Sequence, residues 1–266
     1  MNGLNLVIFS KNRPAQLELL LRSMKLFWKE WNSSKVTVIY KSDKEYQPGY
    51  NTVIELNKWI DFSPEVSFKP QLLRMIDPDK KYIAFDCDDD VFIRPFSLLD
   101  KEVKLFENNP DIMTLSLRLD QRYDYCWDSD RPMRIPKFDK DGAWHWAGQD
   151  LDWGYPMSVL FNIFRTKEIK PLLEKLDFTG PNLLEGLMAQ QPLSNPRMMC
   201  YKEARNVNMP LNLVQDVCKN KALDMSLQEM NKQFLSGKVI DLDSIIRQSK
   251  NLKSCFSPME IKWKSE

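Results

Sequence analysis

Four carboxylates crowd into five residues at Asp86-Cys87-Asp88-Asp89-Asp90, directly after the apolar run Tyr82-Ile83-Ala84-Phe85. No other stretch restricts the fold as tightly. The apolar run reads as a buried strand, so the acids stand at its carboxyl end. Like charges this close raise the cost of ionising one another. A divalent cation removes that cost, and Mg²⁺ or Mn²⁺ uses one or two carboxylates together with substrate phosphate oxygens. Asp88 and Asp90 can both reach one ion where the chain turns. The plain alternative is a solvated acidic turn, and the buried strand before it argues against that.

The flanking sequence alternates strand and helix. Leu4 to Phe9 reads as a strand, Ser10 to Arg13 as a polar loop, and Pro14 as the first turn of a helix. Leu17, Leu20, Leu21, Met24, Phe27, Trp28 and Trp31 follow at helical spacing. Val36 to Tyr40 is a second strand, Asn51 to Trp59 a short helix, Val66 to Phe68 a weak third strand and Pro70 to Ile76 a helix. Ser97 to Asp100 has the form of a capping box before a helix that reaches Phe106. Met113 to Leu119 is a further strand, and Gln121 to Trp153 is irregular. Tyr155 to Arg165 is β-like, and Thr166 is placed to cap the helix to Leu176. Leu183 to Gln190 is helical. Asn206 to Gln215 is read as packing against the acidic site, and Ser226 to Glu229 forms a second capping box, with Gly237 ending that helix. The pattern predicts an α/β fold with a mostly parallel sheet flanked by helices and a C-terminal helical tail. In such sheets ligands bind beyond the carboxyl ends of the strands. Ser10 to Arg13, Ser42-Asp43 and the acidic cluster should therefore share one crevice. We read 1–266 as one domain, with a nucleotide-binding part over about 1–120, an acceptor part over about 121–200 and an extension over about 201–266.

Composition narrows the partners. The net charge of +1 provides no field for nucleic acid. Only 8 glycines argue against a glycine-rich phosphate cradle. The five cysteines are widely spaced and contain no CxxC pair, which reads as reduced thiols in a cytoplasmic protein. No apolar run approaches the ~18 residues of a membrane span, and peripheral membrane contact stays open. Trp127, Trp144, Trp146 and Trp153 crowd one region, where indoles could stack on sugars or pack a core.

The run Tyr82 to Phe96 resembles the strand and DxD motif of the GT-A glycosyltransferases, family 2 in particular, and Val7 to Pro14 resembles their opening strand and nucleotide loop. The resemblance covers roughly residues 4–190. It implies a metal-dependent transfer of a sugar from a nucleoside diphosphate donor to a glycan or other hydroxyl acceptor, in surface-glycan biosynthesis among other settings. It also implies that Asp90 binds Mn²⁺ or Mg²⁺ directly and that Asp88 touches the metal or the ribose. Ser10, Asn12, Arg13 and Asp89 would then lie by the nucleotide, Asp43 near the base or ribose, and Arg13 or Lys11 on phosphate. A later histidine often joins the metal in such enzymes, which makes His145, the only histidine, a candidate. Inverting members place a base carboxylate at the start of a later helix. Glu185 occupies that place, although this chain has Leu184-Glu185 where a Glu-Asp pair is common. Asp150 and Asp152 are the alternative bases.

Two rivals use the same residues. An aspartate-based phosphatase would take Asp86 as nucleophile and Asp88 as acid, but it wants Thr or Val where Asp90 stands. A non-catalytic carbohydrate- or metal-binding module would bind sugar without nucleotide.

Overall fold

A computed structural model describes residues 3–215 and 220–265. The first half runs β1 (Leu4–Lys11), α1 (Pro14–Phe27), β2 (Lys35–Lys41), α2 (Gln47–Leu56), β3 (Asp61–Pro64), α3 (Phe68–Met75), β4 (Tyr82–Cys87), β5 (Asp90–Phe92), α4 (Lys101–Asn108) and β6 (Ile112–Ser116). Short strands β7 (Tyr125–Cys126), β8 (Arg131–Pro132) and β9 (Ala143–His145) precede a 3₁₀ turn over Leu151–Gly154. Then come β10 (Asn162–Arg165), α5 (Thr166–Lys175), α6 (Pro181–Ala189), β11 (Arg197–Cys200) and β12 (Asn206–Asn208). The last part holds α7 (Leu227–Leu235), β13 (Lys238–Ile240), α8 (Leu242–Gln248) and β14 (Trp263–Ser265).

The main sheet has eight strands in the order β3-β2-β1-β4-β10-β6-β11-β9. β10 and the edge strand β9 run against the others. Both faces are covered, so the central strands are apolar along their length. In β1, Leu4, Leu6 and Ile8 face α1, α2 and α4, whereas Val7 and Phe9 face α3, α5 and α6. The C-terminal segment is anchored by β12 pairing antiparallel with β5 and by α7 packing on α1 and α2.

Some local expectations shift. The third strand lies at Asp61–Pro64 instead of 66–68. It is a half-exposed edge strand, so no apolar run marks it. Phe68 instead opens α3, where the Gln71 side chain accepts from the Val66 and Ser67 amides at 2.7 Å each. The second helix starts at Gln47, with Pro48 in its first turn. Ser97 does not cap a helix: its amide donates to Asp100 at 3.1 Å in a turn that precedes α4. Thr166 enters α5 instead of capping it. Only Asn162–Arg165 of the β-like stretch pairs in the sheet, because Met157 and Val159 are apolar for packing on α3, α5 and α6. Ser226 caps α7, its hydroxyl accepting from Glu229 N at 3.2 Å, but the Glu229 carboxylate meets Gln233 and Lys232 instead of the Ser226 amide, so half of the expected box forms.

Among the described residues no helix is long and apolar enough to cross a membrane. Cys87, Cys126, Cys200 and Cys255 are free thiols, and Cys218 lies outside the described residues. Trp144 and Trp153 are buried against each other at 5.1 Å with Phe138 alongside, so these indoles serve a core.

One close approach gives a test of how the tail docks. A Cβ on Gly49 of α2 would lie 2.5 Å from Pro14 Cγ of α1 and 2.7 Å from Asn231 Oδ1 of α7. Gly49→Ala is expected to cost about 1–3 kcal/mol, as overpacking does. A wild-type denaturation midpoint in that variant would show that the three helices do not meet there.

Candidate functional site

β1, β2 and β4 are parallel neighbours, so the segments after them emerge at the same end of the sheet. Asp88 joins two of them. Its Oδ2 accepts from Ser10 Oγ at 2.8 Å and from the Lys11 amide at 3.0 Å. Ser10 Oγ also meets the Tyr50 hydroxyl at 2.6 Å. Asn12, at φ 56° in the left-handed region that Asn tolerates, donates from Nδ2 to Asp43 at 2.7 Å and accepts the Asp43 amide at 2.9 Å. Asp43 and the Lys11 side chain are exposed. Ser10, Lys11, Asn12, Asp43 and Asp88 are thus brought together, as expected.

Arg13 sits differently. Its Nη1 lies 2.9 Å from both Asp88 Oδ1 and Asp89 Oδ2. Its Nε donates to Asn212 Oδ1 at 2.8 Å, and Nη2 to the Asn212 carbonyl. Burial works against the guanidinium charge, but Asp89 and Asp88 outweigh it and hold the group charged. Asp88 in turn is pushed up by burial to about 6, against the pull of Arg13. One positive charge therefore occupies the point on which two carboxylates converge. Asp89 is the most exposed acid of the cluster, and Asp88 is nearly buried.

Asp90 turns the other way. It is fully buried, with Oδ2 accepting from Asn206 Nδ2 at 2.9 Å and Oδ1 from Asn208 Nδ2 at 2.6 Å. Asn208 also donates to Asp89 Oδ1 at 2.9 Å. Neither oxygen of the buried Asp86 meets a donor from another side chain or amide. Burial, then the charge of Asp90, holds Asp86 well above the usual carboxylate range. Asp90, expected as the direct ligand, has both carboxylate oxygens engaged by the two amides. His145 does not join the cluster. It pairs with Arg197 at the start of β11, which is the amino end of the parallel strands, so the sheet separates it from the acids.

Among the described residues no three His, Cys, Asp or Glu side chains converge on one point. A Mg²⁺ or Mn²⁺ site needs fewer, since phosphate and water complete the shell. Asp88 and Asp89 offer oxygens to a shared point that a cation already fills as guanidinium, and this donor set fits a hard divalent ion.

The acceptor-side candidates separate. Asp150 is exposed just before the 3₁₀ turn. Asp152 is mostly buried, with Oδ1 accepting from Arg118 Nη1 at 2.7 Å. Glu185 Oε1 accepts from the Val159 amide at 2.9 Å. Burial raises Glu185, against the Val159 bond and the charge of Arg118. A raised carboxyl adds stability below its unfolded value and loses it as pH rises through the folded value. Glu185→Gln keeps an acceptor for Val159 without that dependence. Its melting temperature relative to wild type should therefore climb between pH 4.5 and pH 8, and a constant difference would contradict the burial argument.

Arg118 and Tyr50 escaped the sequence reading, and Asn206, Asn208 and Asn212 lie in the segment 206–215 that it set against the site without giving any of them a role. Two signals pointed to some of them. Asn206-Val207-Asn208 alternates with period two, which places both amides on one strand face. Arg118 is a lone charge within the apolar stretch 113–119, and buried charges need partners.

No family model matches the chain. The bifunctional glycosyltransferase pgtA of Dictyostelium discoideum is 24% identical over 94% of this chain, which spans 36% of that protein. Among solved structures, residues 1–349 of S. aureus TarS in complex with UDP-GlcNAc superpose with a TM-score of 0.51 at 14% identity, over 77% of this chain and 57% of that one. A longer TarS structure gives 0.50 at 13% identity, over 77% of this chain and 36% of that one.

Proposed function

We propose that this chain, which has the GT-A glycosyltransferase fold, moves a sugar from a nucleoside diphosphate donor to the hydroxyl of a glycan or similar acceptor. The carrying observation is Arg13 Nη1 at 2.9 Å from both Asp88 and Asp89, at the carboxyl end of β4. That point is built for positive charge and adjoins the polar pair Asn12 and Asp43. On this reading Asp88 and Asp89 hold Mn²⁺ or Mg²⁺, and Asn12 and Asp43 face the nucleoside. The Lys11 ammonium pairs with phosphate, and Asn206 and Asn208 keep Asp90 in place as an anchor. The bound ion stabilises charge on the departing diphosphate. With an ion held by Asp88 and Asp89, the Arg13 guanidinium would be available to pair with the diphosphate. An inverting transfer, with Glu185 or else Asp150 or Asp152 as the base, and a setting in surface-glycan assembly in the cytoplasm complete the proposal. The phosphatase alternative is disfavoured because Asp86, its nucleophile, is completely buried.

Thermal unfolding with UDP, GDP, CDP and CMP, each with and without Mn²⁺, tests this reading. UDP-GlcNAc, the TarS ligand, heads the donor panel. One nucleoside diphosphate should stabilise the chain only with Mn²⁺. Stabilisation by free sugar with no nucleotide dependence would favour a binding module instead.

A further inference from the structure

Arg13 is held from two sides. Its Nη1 faces the acids, at 2.9 Å from Asp88 Oδ1 and from Asp89 Oδ2. Its other two nitrogens go to a single residue of the C-terminal segment. Nε donates to Asn212 Oδ1 at 2.8 Å, and Nη2 donates to the Asn212 carbonyl. The guanidinium is a rigid planar fork, so a hold on two of its nitrogens fixes the direction of the third.

Asn212 is itself fixed. It is buried, and the chain before it is tied down at several points. The Met209 amide donates to the Asp89 carbonyl at 2.8 Å, and the Leu211 carbonyl accepts the Met225 amide at 3.0 Å. Met209 and Leu211 are buried among Leu19, Val91, Met230 and Ile240. Asn212 Nδ2 makes only long contacts, to Gln16 Oε1 at 3.5 Å and Met230 Sδ at 3.4 Å. The short bonds of this residue therefore run to Arg13. In the same segment Asn208 Nδ2 fastens Asp89 Oδ1 at 2.9 Å. One stretch, 208–212, thus orients both a carboxylate and the cation that neutralises it.

This hold has an energetic consequence. An ion taken up by Asp88 and Asp89 competes with a guanidinium already seated there. A buried charge deprived of its counter-charges is costly. A diphosphate offers that guanidinium new acceptor oxygens, and a free ion offers none.

We infer, on the transfer reading above, that Asn212 is a positioning residue that keeps Arg13 in the place of the ion, so that the chain takes up divalent ion and nucleoside diphosphate together and holds either one poorly alone. Linkage makes the effect reciprocal. The factor by which diphosphate tightens the ion is also the factor by which the ion tightens diphosphate. Direct attraction between ion and diphosphate supplies part of that factor, and the part that Asn212 supplies is the one its variants remove.

Mn²⁺ binding to the full chain, followed by the electron paramagnetic resonance of the free ion with and without UDP or GDP, tests this. Asn212→Leu keeps the carbonyl and loses the bond from Nε. A hydrogen bond to a charged group is strong enough that this variant should bind Mn²⁺ without nucleotide on the order of 10-fold more tightly than wild type. The gap between Mn²⁺ affinity with and without nucleotide should narrow by the same factor. Arg13→Lys keeps the charge but loses the fork, and it should shift free Mn²⁺ binding in the same direction. Arg13→Ala combined with Asn212→Leu should bind free Mn²⁺ no more tightly than Arg13→Ala alone, because Asn212 acts only through Arg13. A merely structural Asn212 would not tighten the free ion in the single variant. Free Mn²⁺ binding in Asn212→Leu at or below the wild-type affinity, beside an intact Mn²⁺-dependent nucleotide shift, overturns the inference and leaves the transfer reading standing. A wild-type chain with no Mn²⁺-dependent nucleotide binding defeats the transfer reading itself, and the role of Asn212 with it.

Discussion

Asp88→Asn is expected to abolish the Mn²⁺-dependent stabilisation by nucleoside diphosphate and to reduce donor turnover by at least ~10²-fold, a loss typical of a group that stabilises transition-state charge. Every partner of the Asp88 carboxylate is a donor: the Ser10 hydroxyl, the Lys11 amide and the Arg13 guanidinium. An amide there sets its own N–H groups against at least one of them and withdraws one negative charge from the point shared with Asp89. The nucleotide effect is directly readable, since a ligand at 100 times its dissociation constant stabilises by about 2.7 kcal/mol. A Mn²⁺-dependent shift of wild-type size in Asp88→Asn would falsify the placement of the ion.

The second large effect concerns Arg13. Its side chain is buried between Asp88 and Asp89. Removing one partner of a buried ion pair typically costs about 3–5 kcal/mol, because the remaining charge is uncompensated. Arg13→Ala should show a loss of that order in chelator. Added Mn²⁺ should restore part of it, since the ion supplies charge where the guanidinium was. The same variant should bind Mn²⁺ without nucleotide more tightly than wild type does, because no cation has to be displaced. Equal destabilisation with and without Mn²⁺ would mean that Arg13 and the ion do not share a place.

What could be read from the sequence follows how local its cause was. The strand Tyr82 to Phe85 and the acids after it were legible because burial and turn adjoin in the chain. The convergence of Ser10, Asn12, Asp43 and Asp88 followed from parallel strand order alone. The partner of Arg13 was not legible. Basic residues in a nucleotide loop suggest phosphate, and only the folded approach of β1 to β4 shows carboxylates within reach. The surroundings of Asp90 were not legible for a similar reason. The amides that occupy it come from positions 206 and 208, and no local pattern reveals which segment will pair with β5. His145 depended on the direction in which β9 joins the far edge of the sheet. β3 was misplaced because an edge strand with little burial carries no periodic signal. Tyr155 to Phe161 misled in the opposite sense, since its apolar residues serve a core and not a ladder.

The pairing of β12 with β5 also bears on when the site comes into being. β1 to β4 are close in sequence and can assemble while the chain is still being made, since short-range contacts form early. The acidic loop cannot take its final shape then, because Asp90 waits for Asn206 and Asn208, and Arg13 waits for Asn212. During synthesis a sheet with an unset acidic loop therefore precedes the finished centre.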